Sequence, residues 1–189
     1  ELLIINAYII PRDQSITTLK SLNDNGIDVK ILTNSLASHD VPAVNSHYRH
    51  WRKPIITTGA ELYELRSDAA IQSQVCDTRP TVGEFVGLHS KALVVDRRLI
   101  YVGSMNFDPR SAALNTEMGV IIKSAGMGEA LAELFERNMS VANSWQVTLD
   151  DGGNMQWAHD TEVVDMQPAR NFWQRIQELF FRAMPKEYS

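Results

Sequence analysis

Apolar residues fill Leu2 to Ile5 and return at Ala7 to Ile10, and Pro11 closes the run, so this opening stretch predicts a buried strand from Leu2 to Ile10. The period then changes. From Gln14 to Asn25, Ile16, Leu19 and Leu22 fall three apart on one face of a helix, and Gly26 supplies a C-terminal stop. "IDVKILT", Ile27 to Thr33, predicts the next strand. Strand, helix and strand with short joins imply a right-handed crossover and a parallel core. Pro42 suits the first turn of a helix striped by Val44, Tyr48 and Trp51, and Pro54 is expected to kink or end it. Gly59 marks a turn before the strand "ELYEL", whereas Asp68 to Glu84 lacks periodicity and reads as a loop.

The second half is richer in strands. Leu88 to Val95 and Leu99 to Val102 are apolar runs parted by "DRR", which predicts a hairpin, and Thr116 to Lys123 predicts a third strand. Glu129 to Asn143 follows as a helix with Leu131, Leu134, Phe135 and Met139 facing inward. Asp151 to Gly153, between "WQVTL" and "MQWAH", predicts a small hairpin. A last helix, Ala169 to Met184, carries Phe172, Trp173, Ile176, Leu179 and Phe180 along one side. The expected fold class is α/β: a mixed, mostly parallel sheet with helices on both faces, an α-β-α sandwich. It forms one domain over 1–189, in which 145–189 is the hairpin and amphipathic helix.

Composition narrows the function. A chain of 189 residues supports one core of ordinary size. The net charge of −5 weighs against a general polyanion binder, so no nucleic-acid partner is expected. Cys76, the one cysteine, cannot form an internal disulfide. The longest apolar run, "LLIINAYII", is too short to cross a bilayer. The chain opens at Glu1, inside a predicted strand and without an initiator methionine, which points to a piece of a longer polypeptide.

Against this background "GLHSKALVVDRRLIYVGSMNFDPRS", Gly87 to Ser111, is anomalous: His89 and Lys91 interrupt an apolar strand. Residues two apart in a strand share a face, so these two groups project together, and burying them without partners is costly. In the hairpin, Ser104 and Asn106 after Gly103 fall at the corresponding end of the neighbouring strand, so four polar groups converge. The set suits a phosphodiester. Lysine supplies compact positive charge, and a hydroxyl and an amide donate to non-bridging oxygens. Histidine attacks phosphorus through one ring nitrogen when the other is held, and Glu117 is the available carboxylate. Asp96 lies an odd number of residues from His89 and faces away, which suits a structural bond to backbone or Arg110. Three plainer readings stand beside this one: a hydrogen-bonded core histidine at 89, turn chemistry in "GSMN", and a metal site from His39, His47 and His50.

The pattern HxKxxxxDxxxxxxGSxN, with Asn115 and Glu117 downstream, resembles the HKD motif of the phospholipase D superfamily. "INAYIIP", "GIDVKILTNSLASHDVPAVNSHYRHW", "GAELYEL", "DGGNMQW" and "MPKE" resemble the second half of bacterial cardiolipin synthases of the C type, so the likeness covers nearly the whole chain. The resemblance implies a phospholipase D-like fold. It also implies a catalytic set of His89, Lys91, Asp96, Ser104, Asn106 and Glu117, with Lys91, Ser104, Asn106 and Asn115 on the substrate and Glu117 holding the imidazole. Relatives join two HKD motifs into one site, where one histidine becomes a phosphohistidine and the other protonates the leaving alcohol; no metal or other cofactor is implied. This sequence holds one motif, so the missing half comes from elsewhere in the same polypeptide or from a second copy, and the fragment alone is expected to be inactive. "NAY" also departs from the proline that relatives place before the tyrosine.

The resemblance further implies a phospholipid substrate such as phosphatidylglycerol, contact with a membrane surface, and a peripheral place on the cytoplasmic side of a bacterial inner membrane. Two elements are candidates for membrane contact: the last helix, with Arg170, Arg175 and Arg182 among its polar residues, and Trp51 with Arg49, Arg52 and Lys53. The opposing expectation is that an amphipathic helix faces its own core. Two other functions compete with phosphatidyl transfer: a homodimeric single-motif phosphodiesterase or nuclease, and a non-catalytic domain that binds lipid or a partner.

Overall fold

Two unbroken apolar strands, β1 (Leu2–Asn6) and β2 (Val29–Asn34), lie side by side in parallel, and every other element is arranged around them. A computed structural model describes residues 1–75 and 83–182. Between these strands runs α1 (Asp13–Asp24), ended by Gly26 in the left-handed region at φ 76°. After β2 come α2 (Pro42–Tyr48), α3 (Arg52–Thr57), β3 (Glu61–Leu65) and the short α4 (Gln72–Val75). The second half consists of β4 (Lys91–Val95), β5 (Leu99–Gly103), α5 (Pro109–Ala113), β6 (Gly119–Lys123), α6 (Ala125–Met139), β7 (Ser144–Leu149), β8 (Met155–His159), β9 (Glu162–Val164) and α7 (Phe172–Arg182). Part of the expected loop at Asp68 to Glu84 lies outside the described residues.

All nine strands form one sheet in the order β6-β5-β4-β1-β2-β3-β7-β8-β9. Helices cover both faces as expected. On one, Ala132, Phe135 and Met139 of α6 pack on Leu3, Ile5, Val94 and Ile100; on the other, Tyr48 and Ile55 join Ile4, Ile31 and Leu62, with α1 packed alongside. The sheet is not mostly parallel. Only β1–β2 and β2–β3 pair in parallel, and the six remaining pairs are antiparallel. Parallel pairing follows the two crossovers that return beside the strand they left, through α1 and the α2–α3 segment, whereas the later strands follow hairpins or arrive from the other side of the sheet. Between β4 and β5, Asp96 and Arg97 both adopt positive φ, 48° and 53°, the hand of turn that matches strand twist.

Boundaries moved where side chains compete with the ladder. β4 begins at Lys91 and leaves His89 outside the strand, because Asn34 clamps Leu88 at both its N–H and its carbonyl. The second helix breaks before Pro54, which sits in the first turn of α3, where its missing N–H costs nothing. α6 begins and ends four residues earlier than its apolar stripe suggests, since the Ser124 hydroxyl accepts from the Met127 N–H and caps it.

The last helix overturns the expectation that it faces its own core. Gln174 and Glu178 are buried at 3% and 2% exposure, while Phe172, Trp173, Leu179 and Phe180 are all more than 60% exposed. Gln174 explains the inversion: its amide donates to the Leu36 carbonyl at 2.6 Å and accepts the Arg170 N–H. Under α2 and α3, Arg52 and Glu64 form a buried pair at 2.5 Å, Trp157 donates to the other Glu64 oxygen, and the guanidinium lies over the rings of Tyr48 and Trp157. Removing one partner strands the other charge in the interior. Glu64→Ala is therefore expected to cost about 3–5 kcal/mol of unfolding free energy in urea titration; a loss below 1 kcal/mol, roughly what an exposed pair contributes, would refute the structural weight given to this pair.

Candidate functional site

The carboxyl ends of β1 and β2, the start of β4, the end of β5 and the residues before β6 all open onto one edge of the sheet, the usual crevice of an α/β fold. Lys91 stands at its centre. It pairs in register with Asn6, is only 7% exposed, and donates from Nζ to the His89 carbonyl at 2.7 Å. Burial draws its ammonium below the ordinary lysine range, against which Asp40 and Glu117 pull it upward. Its Nζ also faces the Tyr8 ring, 5.8 Å from the centroid.

His89 is exposed, and its ring meets Tyr8 edge-on with centroids 6.3 Å apart. Ser104 at the end of β5 donates to Glu117 and accepts the Met118 N–H at 3.0 Å. Asn115 donates to the other Glu117 oxygen at 3.1 Å, and these bonds hold the Glu117 carboxyl below its usual range. Asn106 lies between Met105 and Phe107, both tied by backbone to the Asn6 side chain, and its Oδ1 is buried without a hydrogen-bond partner among the described residues. A buried polar atom of this kind is costly unless a ligand meets it.

Five of the six residues expected to be catalytic thus lie at one end of the sheet, and Asn115 joins them. Asp96 does not. It lies at the turn end of β4, roughly 16 Å of strand from Lys91, at positive φ in the hairpin turn, and among the described residues no hydrogen bond joins it to Arg110. Its place in the motif is structural. Glu117 also differs from expectation: among the described residues no hydrogen bond joins it to the His89 ring, which sits outside the strand, and its oxygens accept instead from Ser104 and Asn115.

The sequence reading missed a second layer. Tyr8 stacks on His39 with centroids 5.2 Å apart and donates to the Asp40 carboxylate at 3.0 and 3.1 Å. Asn34 spans Ala7 and Leu88, joining the two strand ends. Both follow from the parallel pairing of β1 and β2, which sends Tyr8 and the residues after Asn34 to the same edge. His39 is therefore buried against Tyr8, and among the described residues no three His, Cys, Asp or Glu side chains gather closely enough to hold a metal ion.

Comparison with known proteins agrees with this arrangement. Residues 1–139 match the family described as cardiolipin synthase, PLD-like domain. Cardiolipin synthase C of Escherichia coli (strain K12) is 34% identical over 189 residues, 98% of this chain and 40% of that protein. Cardiolipin synthase A of Pectobacterium carotovorum is 25% identical over 181 residues, 96% of this chain and 30% of that protein. The chain therefore spans less than half the length of these curated relatives. Nuc from Salmonella typhimurium, a phospholipase D family member, superposes with a TM-score of 0.54 at 18% identity over 75% of this chain and 78% of its own. The phosphatidylserine synthase of Haemophilus influenzae Rd KW20 gives 0.56 at 17% identity, over 77% and 33%. At these identities the structures speak for the fold alone, and that fold is the one expected.

Tyr8 provides a direct physical check. Its phenol is pushed up to about 12, by burial first and by the hydrogen bond to Asp40 second. The folded value lies above the unfolded value of about 10, so the stabilisation is complete below that pH and is lost as pH rises toward the folded value. Absorbance titration at 295 nm, as wild type minus Tyr8→Phe, is expected to show one phenol with a midpoint near 12. Asp40→Asn should move that midpoint downward; an unmoved midpoint would break the Tyr8–Asp40 link.

Proposed function

The chain belongs to the family of cardiolipin synthase, PLD-like domains, and from that premise we propose that it is the C-terminal catalytic half of a phosphatidyltransferase acting on phospholipid phosphodiesters. The observation that carries the proposal is a buried ammonium, Lys91, directly beside an exposed imidazole, His89, at the edge where Ser104, Asn106 and Glu117 meet. In this reading Lys91, Asn106 and Asn115 hold the non-bridging oxygens, Ser104 joins them by turning its one hydroxyl proton from Glu117 to the ligand, and Glu117 fixes Asn115 in place. His89 takes one of two roles. As nucleophile, its ring nitrogen forms the bond to phosphorus as the bond to the first alcohol breaks, and a second histidine protonates that alcohol. As general acid and base, it supplies that proton and later removes one from the incoming alcohol.

A second HKD half is required by this chemistry, from the same polypeptide or another copy. The surface beside the site favours such a partner: Leu114 and Met118 flank Asn115 and Glu117 at 81% and 79% exposure, and Val120 and Ile121 of the edge strand β6 are also exposed. The apolar face of α7 is a separate surface, and we assign it to the bilayer that carries the substrate. Its inverted packing onto Leu36 holds Trp173, Leu179 and Phe180 outward, next to the wall of the site. Among the described residues no helix is long and apolar enough to cross a membrane. In this reading the chain meets the bilayer from its surface, on the cytoplasmic side of a bacterial inner membrane. The acidic charge balance disfavours the nuclease alternative.

The gene product that contains this chain is expected to form cardiolipin in vesicles containing phosphatidylglycerol, and His89→Ala to abolish it; undiminished product from that variant would end the proposal. Metal-free cleavage of single- or double-stranded DNA under chelator would favour the nuclease. For α7, the double variant Leu179→Glu with Phe180→Glu is expected to lose most co-sedimentation with anionic vesicles while keeping its circular dichroism, and unchanged co-sedimentation would remove the helix from the membrane.

A further inference from the structure

Asp40 is out of place at a site built for an anion. Its side chain is 55% exposed, and its charge acts on Lys91 and on Arg170. A phosphodiester brings a negative charge to the same pocket, where like charges oppose binding. A carboxylate at this point therefore weakens the site unless the ligand carries a group that it can engage.

Its neighbours leave that capacity open. The Tyr8 hydroxyl has one proton to donate, shared between carboxylate oxygens at 3.0 and 3.1 Å, whereas an ionised carboxylate accepts at about four positions. His39 Nδ1 lies 3.5 Å away and, with Tyr8, holds the Asp40 carboxyl below its usual range, so the ring takes up at most one further position and others stay open. Tyr8 also fixes where Asp40 stands. Stacked on His39 and edge-on to His89, the ring sets the carboxylate at a fixed remove from the imidazole. Phosphorus is attacked from about 3–3.5 Å, and the alcohol esterified to it extends from there along the Tyr8 ring, whose hydroxyl holds Asp40.

We propose that Asp40, held by the Tyr8 hydroxyl, recognises the alcohol moiety of the phosphodiester by accepting hydrogen bonds from its hydroxyl or ammonium donors. This rests on the phosphatidyl-transfer reading above and deepens it. In a two-step displacement the leaving and the incoming alcohol occupy the same position in turn, so one carboxylate reads both. Hydroxyl and ammonium share the donor chemistry that Asp40 requires, and substrate comparison separates them.

The test uses three soluble phosphodiesters with identical dioctanoyl chains: phosphatidylglycerol, phosphatidylethanolamine, and phosphatidylmethanol, whose alcohol has no donor. Binding to the full gene product is measured calorimetrically before turnover is assayed, alongside Asp40→Asn and Tyr8→Phe. Wild type is expected to prefer at least one donor-bearing lipid over phosphatidylmethanol by on the order of tenfold, the scale of one charge-assisted hydrogen bond. Asp40→Asn should bring that ratio close to one and Tyr8→Phe should lower it partly. Preference for the glycerol form identifies hydroxyl readout, and preference for the ethanolamine form identifies ammonium readout. Equal binding of all three by wild type, or a ratio that Asp40→Asn leaves intact, overturns the assignment. Donor-selective binding lost in Asp40→Asn without any turnover by wild type would sink the transfer reading and leave the role of Asp40 standing.

Discussion

An ammonium withdrawn from water is the constraint around which this site is arranged. Lys91 opens β4 at 7% exposure, and a lysine that deep requires partners. The protein supplies the His89 carbonyl, the face of Tyr8, and the fields of Asp40 and Glu117, none of which neutralises it in a close ion pair. The result is a positive charge short of full compensation, at the end of the sheet and next in the chain but one to an exposed imidazole. In the proposed reading a phosphodiester completes it.

The sheet makes that position possible. β1 and β2 run in parallel and end together, β4 runs back between β1 and β5, and β5 and β6 pair so that Gly103 meets Gly119. Five segments distant in sequence thereby place Tyr8, His39 with Asp40, Lys91, Ser104 and Glu117 along one edge. The opposite end of β4 carries only a turn, and Asp96 there serves the fold. Two apolar surfaces remain outside the core, the β6 edge beside Glu117 and the outer face of α7. The proposed function assigns them different completions of the site, a second protein half at the first and a lipid surface at the second.

Much of this was legible in the sequence, and what was not has a physical reason. The convergence of Lys91, Ser104, Asn106 and Glu117 follows from strand period and hairpin register, which are local rules. The orientation of α7 is not local. Its apolar stripe is real, yet one buried amide, Gln174 bonded to Leu36, turns the stripe outward. The excess of antiparallel pairing depends on which edges meet after long connections, which periodicity does not encode. Tyr8, His39 and Asp40 were readable in principle, since parallel neighbours end on the same side, but the histidine was grouped by sequence proximity with His47 and His50 rather than by strand end.

The most direct measurement of the central claim is a crystal structure of the gene product soaked with tungstate, an oxyanion dense enough to locate without ambiguity. The ion is expected within hydrogen-bond distance of Lys91 Nζ, with Ser104 and Asn106 as further donors and a His89 ring nitrogen facing the tungsten. An ion bound elsewhere, with Lys91 still turned to the His89 carbonyl, would contradict the account.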